Sequence, residues 1–202
     1  AAAVHTLWDA RTNAELAMSQ VMREQWRFIW QAGFPIYDRD LDLIQTPAHA
    51  LLSRLRLTAS RLGGAILHRV HLEGANLSFA QLEGANLSRA HLECADLREA
   101  HLQGANFYHA HLEGSDLNGA NLQNARLTGA HLESANLSFA CLHYTDLRGA
   151  HLQGANFTGS ELLGADLRGA RLYATNLINV DLRGVTIDDS TILISPSEKP
   201  TP

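Results

Sequence analysis

Hydrophobic and polar positions recur every five residues along most of the chain. From Ala75 the sequence reads ANLSF, AQLEG, ANLSR, AHLEC and ADLRE, and the pattern extends back to Ser60 and forward to about Ile194. A period of five matches neither the 3.6 residues of a helical turn nor the alternation of a long strand. The pattern therefore predicts a repeat protein in which each unit forms one short element.

Each unit places a small residue and a large apolar residue two positions apart, as at Ala110 and Leu112. In an extended segment these two face the same side, and the polar residue between them faces the other. The remaining two positions often end in glycine, as at Gly104 and Gly114, which suits a bend. We predict that each pentapeptide forms one straight side of a coil, with Ala and Leu inside and polar groups outside.

A second regularity predicts four sides per coil. Histidine precedes the central leucine at every twentieth residue from 71 to 151, and glutamate follows that leucine in four of these five units. Residues twenty apart then lie on the same face of consecutive coils, about 4.8 Å apart. The residues of this candidate interaction face are His71, His91, His111, His131 and His151, with Glu73, Glu93, Glu113 and Glu133.

The run of A(N/D)LXX units from roughly Ser60 to Ile194 resembles the pentapeptide-repeat family. The resemblance implies an all-β solenoid, a right-handed quadrilateral β-helix, here with about seven coils. It also implies that the central Leu or Phe and the preceding small residue fill the interior. The predicted core is Leu72, Leu77, Leu82, Leu87, Leu92, Leu97, Leu102, Phe107, Leu112, Leu117, Leu122, Leu127, Leu132, Leu137, Leu142, Leu147, Leu152, Phe157, Leu162 and Leu167.

The chain outside the repeats divides into two further segments. Residues 1–59 are predicted to be an α-helical segment that caps the solenoid, because Leu7 to Gln31 lacks Gly and Pro and has apolar residues at helical spacing. Binding a partner helix and continuing an upstream anchor stay open as alternatives. Residues 60–194 form the predicted β-helix, and 195–202 a disordered, proline-rich tail that cannot extend the sheet.

The end of the repeat region is apolar. The pattern decays into VTIDD and STILI, which place Ile187, Ile192, Leu193 and Ile194 in the last coil. Because an end coil exposes unpaired backbone groups, we expect it to be covered by the tail or by a second copy of the protein. A homodimer through the C-terminal coil follows from the second alternative.

Charge and cysteine content exclude several classes of function. The chain has 16 Lys and Arg against 21 Asp and Glu, and the excess lies in residues 61–194, with nine Arg against fourteen acids. A balance this mild, without a basic stripe, argues against direct nucleic-acid binding. Cys94 and Cys141 form no disulfide or zinc motif.

The chain is predicted to be cytoplasmic. No stretch approaches the roughly 18 apolar residues needed to cross a membrane, and the few cysteines favour a reducing compartment. The sequence does not begin with Met, so a removed upstream signal or membrane anchor stays an alternative.

The histidines and glutamates also raise the question of metal binding, since an H-x-E pair supplies two ligand types. We interpret them as solvated side chains that tile a face, because a flat exposed face lacks converging ligands and supporting contacts. No metal and no cofactor is therefore predicted. Acidification is expected to add positive charge to this face.

The predicted function is a non-enzymatic scaffold that presents flat β-helix faces to an unknown protein partner. Ser, His and Asp recur at outward positions because the unit is repeated, so some of them will lie near one another by chance. Their presence is therefore not evidence of a catalytic triad. The sequence also lacks a phosphate loop, a Rossmann fingerprint and a zinc signature. The leading contact surfaces are the histidine and glutamate face and the N-terminal segment.

The resemblance implies one alternative, because quinolone-resistance members of the family resemble duplex DNA in size and charge and bind DNA gyrase. A rod with excess acids is compatible with this topoisomerase-directed function. Three features argue against it: six arginines from Arg89 to Arg171 are mixed with the acids, the repeats show no loop insertion, and no C-terminal dimerisation helix is visible.

Overall fold

The computed structural model describes residues 57–193, so most of the predicted N-terminal segment and all of the predicted tail lie outside the described residues. Parallel bridges join each side of the solenoid to the side twenty residues later, from Arg61 with Gln81 upward. Each side contributes a single bridged residue, and residues 57–193 contain no helix and no longer strand. Four five-residue sides therefore make one coil, which confirms the predicted superperiod. The same residues contain no helix with the length and hydropathy of a membrane span.

Backbone hydrogen bonds hold consecutive coils together. The amide of Leu72 donates to the carbonyl of His91, and the amide of His91 donates to the carbonyl of Val70, both at 2.8 Å. At the corner, the amide of Gly74 donates to the carbonyl of Glu93 at 2.8 Å. These bonds recur along the solenoid, so the coils satisfy one another's backbone polar groups.

A type II turn closes most corners of the solenoid. The amide of Ala75 donates to the carbonyl of Leu72 at 3.0 Å, and Gly74 between them has a φ of +64°. A type II turn requires this left-handed conformation at its third position, which favours glycine. Other residues also occupy it, including Cys94 at +57° and Phe139 at +58°. The fifth position of the repeat is therefore often glycine but tolerates other side chains.

The interior consists of alanine and leucine from all four walls. Ala110 and Leu112 are both 0% exposed, and nearly all residues at these two repeat positions between Leu62 and Leu167 are buried. One coil cannot bury its own leucines, but its neighbours cover them, and each buried leucine contributes about 1.5–3 kcal/mol before the cost of ordering. Stacking of coils is therefore the main source of stability.

Some polar residues that the repeat pattern places outside are buried. Ser78, Ser88 and Ser138 follow the central leucine and are only 5–7% exposed. Their hydroxyls bond to the asparagine two residues earlier, as Ser78 Oγ donates to Asn76 Oδ1 at 2.7 Å. A short side chain makes this contact by lying against the outer surface of the wall, so these serines lie on the outside but are covered by their neighbours.

Four of the polar residues at the small inward position are buried, and they differ in hydrogen bonding. They are Ser60, Ser115, Thr145 and Ser160, each at most 4% exposed. The hydroxyl of Ser115 donates to the carbonyl of Leu112 at 2.8 Å. The hydroxyl of Ser160 is buried without a hydrogen-bond partner.

Replacing Ser160 by alanine is expected to raise the free energy of unfolding by about 1 kcal/mol, because it removes a buried hydroxyl that has no partner. Ser115→Ala is the matched control and should lower the free energy of unfolding by about 1 kcal/mol, since it loses a hydrogen bond. Urea denaturation of both variants measures the difference. Equal losses in the two would contradict this assignment.

The last coil departs from the repeat register. Arg171 pairs with Ile192, which is 21 residues later rather than twenty. The extra residue between Thr186 and Ile192 shifts the unit predicted as STILI by one position, so Thr191 takes the place predicted for Ser190. The hydroxyl of Thr191 accordingly donates to the carbonyl of Leu167 at 3.1 Å. The segment in which the repeat pattern decays thus contains a shift of one residue.

Candidate interaction face

The histidines predicted to share a face form one column of side chains. Bridges join His71, His91, His111, His131 and His151 in succession. The rings of His91 and His111 lie 4.8 Å apart with planes 2° from parallel, and those of His111 and His131 lie 4.8 Å apart at 7°. The ring of His151 is tilted by 52° from that of His131. We call this column and its glutamates the histidine wall.

The predicted glutamates lie beside the imidazoles. Nδ1 of His91 is 3.1 Å from Oε1 of Glu93, and Nδ1 of His111 is 3.1 Å from Oε1 of Glu113. These pairs join residues of one coil, and their side chains are about one-third exposed, between 33% and 35%. Even when the imidazole is protonated, ion pairs with this exposure contribute about 0–1 kcal/mol, so these contacts orient the side chains more than they stabilise the fold.

The pairing spans two coils at the C-terminal end of the wall. Oε1 of Glu133 lies 3.5 Å from Nδ1 of His131 and 3.2 Å from Nδ1 of His151. These three ligand atoms all lie within 4.8 Å of one another. The expectation that a flat face brings no ligands together differs from the structure, because the next coil supplies a second imidazole.

The second carboxylate oxygen of these glutamates is buried. In Glu93, Glu113 and Glu133, Oε2 has no hydrogen-bond partner in the structure. A buried carboxylate oxygen without a donor costs free energy. The histidine wall is therefore not a simply solvated surface, although each side chain as a whole remains partly exposed.

Sequence reasoning missed the basic edge of this wall. The corner that precedes it carries Arg69, Arg89 and His109, all with left-handed backbone at φ of 55°, 55° and 51°. With the imidazoles they line a shallow groove of about 380 Å³. The wall thus runs from basic residues at one edge to glutamates at the other. The twenty-residue spacing of the three corner residues was the signal for this edge.

Asparagine and aspartate have a local structural role on the neighbouring wall. Asn136 Oδ1 accepts a hydrogen bond from the backbone amide of Ser138 at 3.2 Å, and Asp96 Oδ1 accepts one from the amide of Arg98 at 3.2 Å. The same bond is made along the whole column Asn76, Asp96, Asp116, Asn136, Asn156 and Asn176. Turn geometry therefore explains the N/D of the repeat. On the histidine wall the imidazole Nδ1 faces a carboxylate instead.

Aspartates followed by arginine two residues later form two-pronged ion pairs. Nε and Nη2 of Arg148 donate to the two carboxylate oxygens of Asp146 at 2.9 and 2.8 Å. These hydrogen bonds lower the pKa of Asp146 to about 2. In the same way, hydrogen bonds from Arg98 lower the pKa of Asp96, and hydrogen bonds from Arg168 lower the pKa of Asp166. These acids are matched by cations.

Asp146→Asn is expected to lower the melting temperature above about pH 4 and to have little effect near pH 2. The pKa of Asp146 is about 2 in the folded protein, below the roughly 3.9 of an unfolded chain. The ionised carboxylate therefore stabilises the fold above about pH 4, and this stabilisation is lost as the pH falls through 2. Thermal melts at pH 7 and pH 2 measure the change, with Asp189→Asn as control. A deficit that is the same at both pH values would refute the prediction.

The two cysteines are free thiols, Cys94 exposed and Cys141 partly buried. Cys141 lies with His143 and Glu161 on the wall opposite the histidine wall, and Nε2 of His143 is 2.9 Å from Oε2 of Glu161. Their ligand atoms lie within 4.8 Å of one another. These three residues are a second group of possible metal ligands, so a measurement of metal binding at the histidine wall must account for them.

Comparison with known proteins identifies the repeat. A scan of protein families matches Pentapeptide repeats, in eight copies over residues 50–89, 80–119, 115–154 and 150–188. A comparison with curated proteins gave no match.

Several solved structures are similar to the chain. Rfr23, a pentapeptide repeat protein from the cyanobacterium Cyanothece 51142, is 37% identical over 48% of this chain and 63% of that chain, with a TM-score of 0.33. HetL, a pentapeptide repeat protein involved in heterocyst differentiation regulation in Nostoc sp. strain PCC 7120, is 30% identical over 69% of this chain and 81% of that chain, with a TM-score of 0.32. A trypsin-treated variant of QnrB1, a plasmid-mediated fluoroquinolone resistance protein, is 26% identical over 67% of this chain and 76% of that chain, with a TM-score of 0.37.

The family assignment rests on the repeat itself. The matched segments span residues 50–188, well over half of the chain. Proteins of this family form right-handed quadrilateral β-helices, and the twenty-residue bridges of this chain agree with four sides per coil. The chain belongs to the pentapeptide repeat family.

Proposed function

We propose that the protein is a non-enzymatic interaction scaffold, a prism of about seven coils whose histidine wall binds a protein partner. One observation carries the proposal. On the neighbouring wall, the residue before each central leucine accepts a hydrogen bond from its own turn, as Asn136 does from the amide of Ser138. On the histidine wall, His91 and His111 instead face glutamates and keep a third of their side-chain surface exposed, 33% and 35%. Their side chains are available for contact.

The charge across the wall indicates the chemistry of the partner. Arg69 and Arg89 line one edge of the groove beside the imidazoles, while Glu93 and Glu113 lie beyond them. A partner surface with acidic groups opposite the arginines and basic groups opposite the glutamates would be complementary. Because the imidazoles repeat about every 4.8 Å, an extended partner segment would meet one at each coil, with basic corner residues beside only the first three, at Arg69, Arg89 and His109.

The test compares two walls of the same protein. The first variant carries His111→Ala, Glu113→Ala and His131→Ala, and its matched control carries His101→Ala and Gln103→Ala on the opposite wall. A partner is captured from an extract of the source cell, identified by mass spectrometry and purified, and its Kd for each variant is measured. We expect the first variant to bind at least about tenfold more weakly and the control to match wild type. Equal effects in the two, or none, would overturn the proposal.

Mimicry of DNA, the alternative function, has less support from charge density. Nine arginines against fourteen acids leave a net charge of −5 over residues 61–194. Seven coils span roughly 34 Å, a length over which duplex DNA carries about 20 negative charges. The solenoid would thus carry about a quarter of that charge. Inhibition of DNA gyrase supercoiling by the wild-type protein would favour mimicry over the scaffold proposal.

We also propose that the C-terminal coil mediates a homodimer. Leu182, Ile187 and Leu193 are 48%, 55% and 57% exposed at this end of the described region. Exposed apolar clusters of this kind often mark contact surfaces. Sedimentation at increasing protein concentration tests this idea, and a monomer at all concentrations would reject it. The helical cap formed by residues 1–59, the tail of residues 195–202 and the cytoplasmic location remain predictions.

A further inference from the structure

We propose that the histidine wall contains a binding site for a divalent transition metal, formed by His131, Glu133 and His151, with zinc as the reference ion. The site lies on the same wall as the proposed interaction surface. It does not depend on that function, because the ion and the protein alone suffice to test it.

The two distances from the glutamate to the imidazoles match the spacing of ligands around a tetrahedral ion, and all three ligand atoms lie within 4.8 Å of one another. Zinc binds imidazole nitrogen at about 2.0–2.1 Å and carboxylate oxygen at about 2.0–2.2 Å, which places two tetrahedral ligands about 3.3 Å apart. Oε1 of Glu133 lies 3.5 Å from Nδ1 of His131 and 3.2 Å from Nδ1 of His151. An ion would therefore fit between these atoms with small side-chain movements.

The donor set and its exposure suit zinc and similar ions. Two imidazoles and one carboxylate leave a fourth tetrahedral position for water, as in open zinc sites. The side chains of His131, Glu133 and His151 are 30%, 32% and 26% exposed, which gives the ion a path from solvent. Magnesium and calcium prefer oxygen ligands, so imidazole selects against them.

Two features single out this group among the four groups of two histidines and a glutamate along the wall. The first is distance. Glu113 Oε1 lies 3.9 Å from Nδ1 of His131 on the next coil, whereas Glu133 Oε1 is 3.2 Å from Nδ1 of His151. The second is the ring of His151, whose 52° tilt from the ring of His131 opens the parallel stack.

The carboxylate of Glu133 contacts the two imidazoles through Oε1 alone. Its Oε2 is buried without a hydrogen-bond partner. A divalent ion bound at Oε1 would neutralise the carboxylate as a whole, which would offset the cost of burying Oε2.

Arg171 follows His151 in the same column, so the column of imidazoles ends at His151.

The experiment measures zinc binding to untagged full-length protein after removal of metal with a chelator. All proteins carry Cys141→Ser, which disables the separate group formed with His143 and Glu161. Calorimetric titration gives the affinity for Zn²⁺, and visible absorption of the Co²⁺ complex reports tetrahedral coordination. We expect saturable binding of Zn²⁺, none of Mg²⁺, and a tetrahedral Co²⁺ spectrum.

Glu133→Gln and His151→Ala each change only this group, and each should weaken the tightest Zn²⁺ step at least about tenfold. The matched control is Glu83→Gln on the opposite wall, whose Oε1 lies 3.4 Å from Nδ1 of His101 but has no second imidazole on an adjacent coil. It should keep the affinity within twofold. Thermal melts without metal show that the variants are folded.

Absence of saturable Zn²⁺ binding would overturn the inference, as would a tightest step that both site variants leave unchanged. Either result would leave the scaffold proposal standing, because that proposal is measured with the partner protein. A variant that loses partner binding but keeps its Zn²⁺ affinity would show that the interaction surface and the metal site are independent.

Discussion

Replacing Leu112 by alanine is expected to lower the free energy of unfolding by about 2–5 kcal/mol. Leu112 is 0% exposed, and the coils that carry Leu92 and Leu132 lie directly on either side of it. The cavity left by the substitution cannot close easily, because backbone bonds fix the separation of the coils. The amide of Leu112 itself donates to the carbonyl of His131 at 2.7 Å.

Leu182→Ala is the matched control for this prediction. Leu182 occupies the same repeat position in the last coil, where it is 48% exposed. In protein dilute enough to be monomeric, so that the proposed C-terminal contact between two copies is absent, its truncation removes less buried surface and should cost less than about 1 kcal/mol. Urea denaturation of both variants measures the two losses. If they were equal, burial between neighbouring coils would not be the main source of stability.

Ala110→Phe is expected to destabilise the protein by about 1–3 kcal/mol or more, because the interior has no room for a large side chain at this position. Ala110 is 0% exposed and its amide is tied to the carbonyl of Phe107 at 2.9 Å, so the wall cannot move outward without losing its turn.

The control for overpacking places the same side chain at a corner. His109→Phe should leave the melting temperature nearly unchanged. Phe79 and Phe139 occupy the same fifth position of the repeat, where their side chains are 55% and 68% exposed. Differential scanning calorimetry compares the two variants with wild type. An unchanged melting temperature in Ala110→Phe would show that alanine is not required for close approach of the walls.

The coil could be predicted from the sequence because its contacts depend on spacing alone. Each unit contacts only the units beside it and those twenty residues away, so one local pattern determines the whole solenoid. The pair Ala110 and Leu112 illustrates this, since their separation by two residues is enough to place both inside. The column of histidines follows from the same arithmetic.

The finer contacts depend on side-chain conformation, which the spacing does not specify. Glu93 contacts the imidazole of its own coil, whereas Glu133 lies closer to His151 on the next coil. The two glutamates occupy the same repeat position, but the coil after Glu133 has Gln153 where the coil after Glu93 has Glu113. His151 therefore has no glutamate in its own coil, and this substitution was the available signal. The inserted residue before Ile192 was hidden, because Ser190 and Thr191 are both small and either fits the inward position.

The bridges between residues twenty apart have a consequence for how such a chain can change length. A coil returns to the same corner of the square after four sides, so duplication of one twenty-residue segment adds a storey without rotating those above it. Growth by a number of residues that is not a multiple of twenty would displace every later residue from the wall of its counterpart below. Tandem duplication of a twenty-residue segment that contains one of these histidines would therefore add one imidazole to the histidine wall, aligned with those below it.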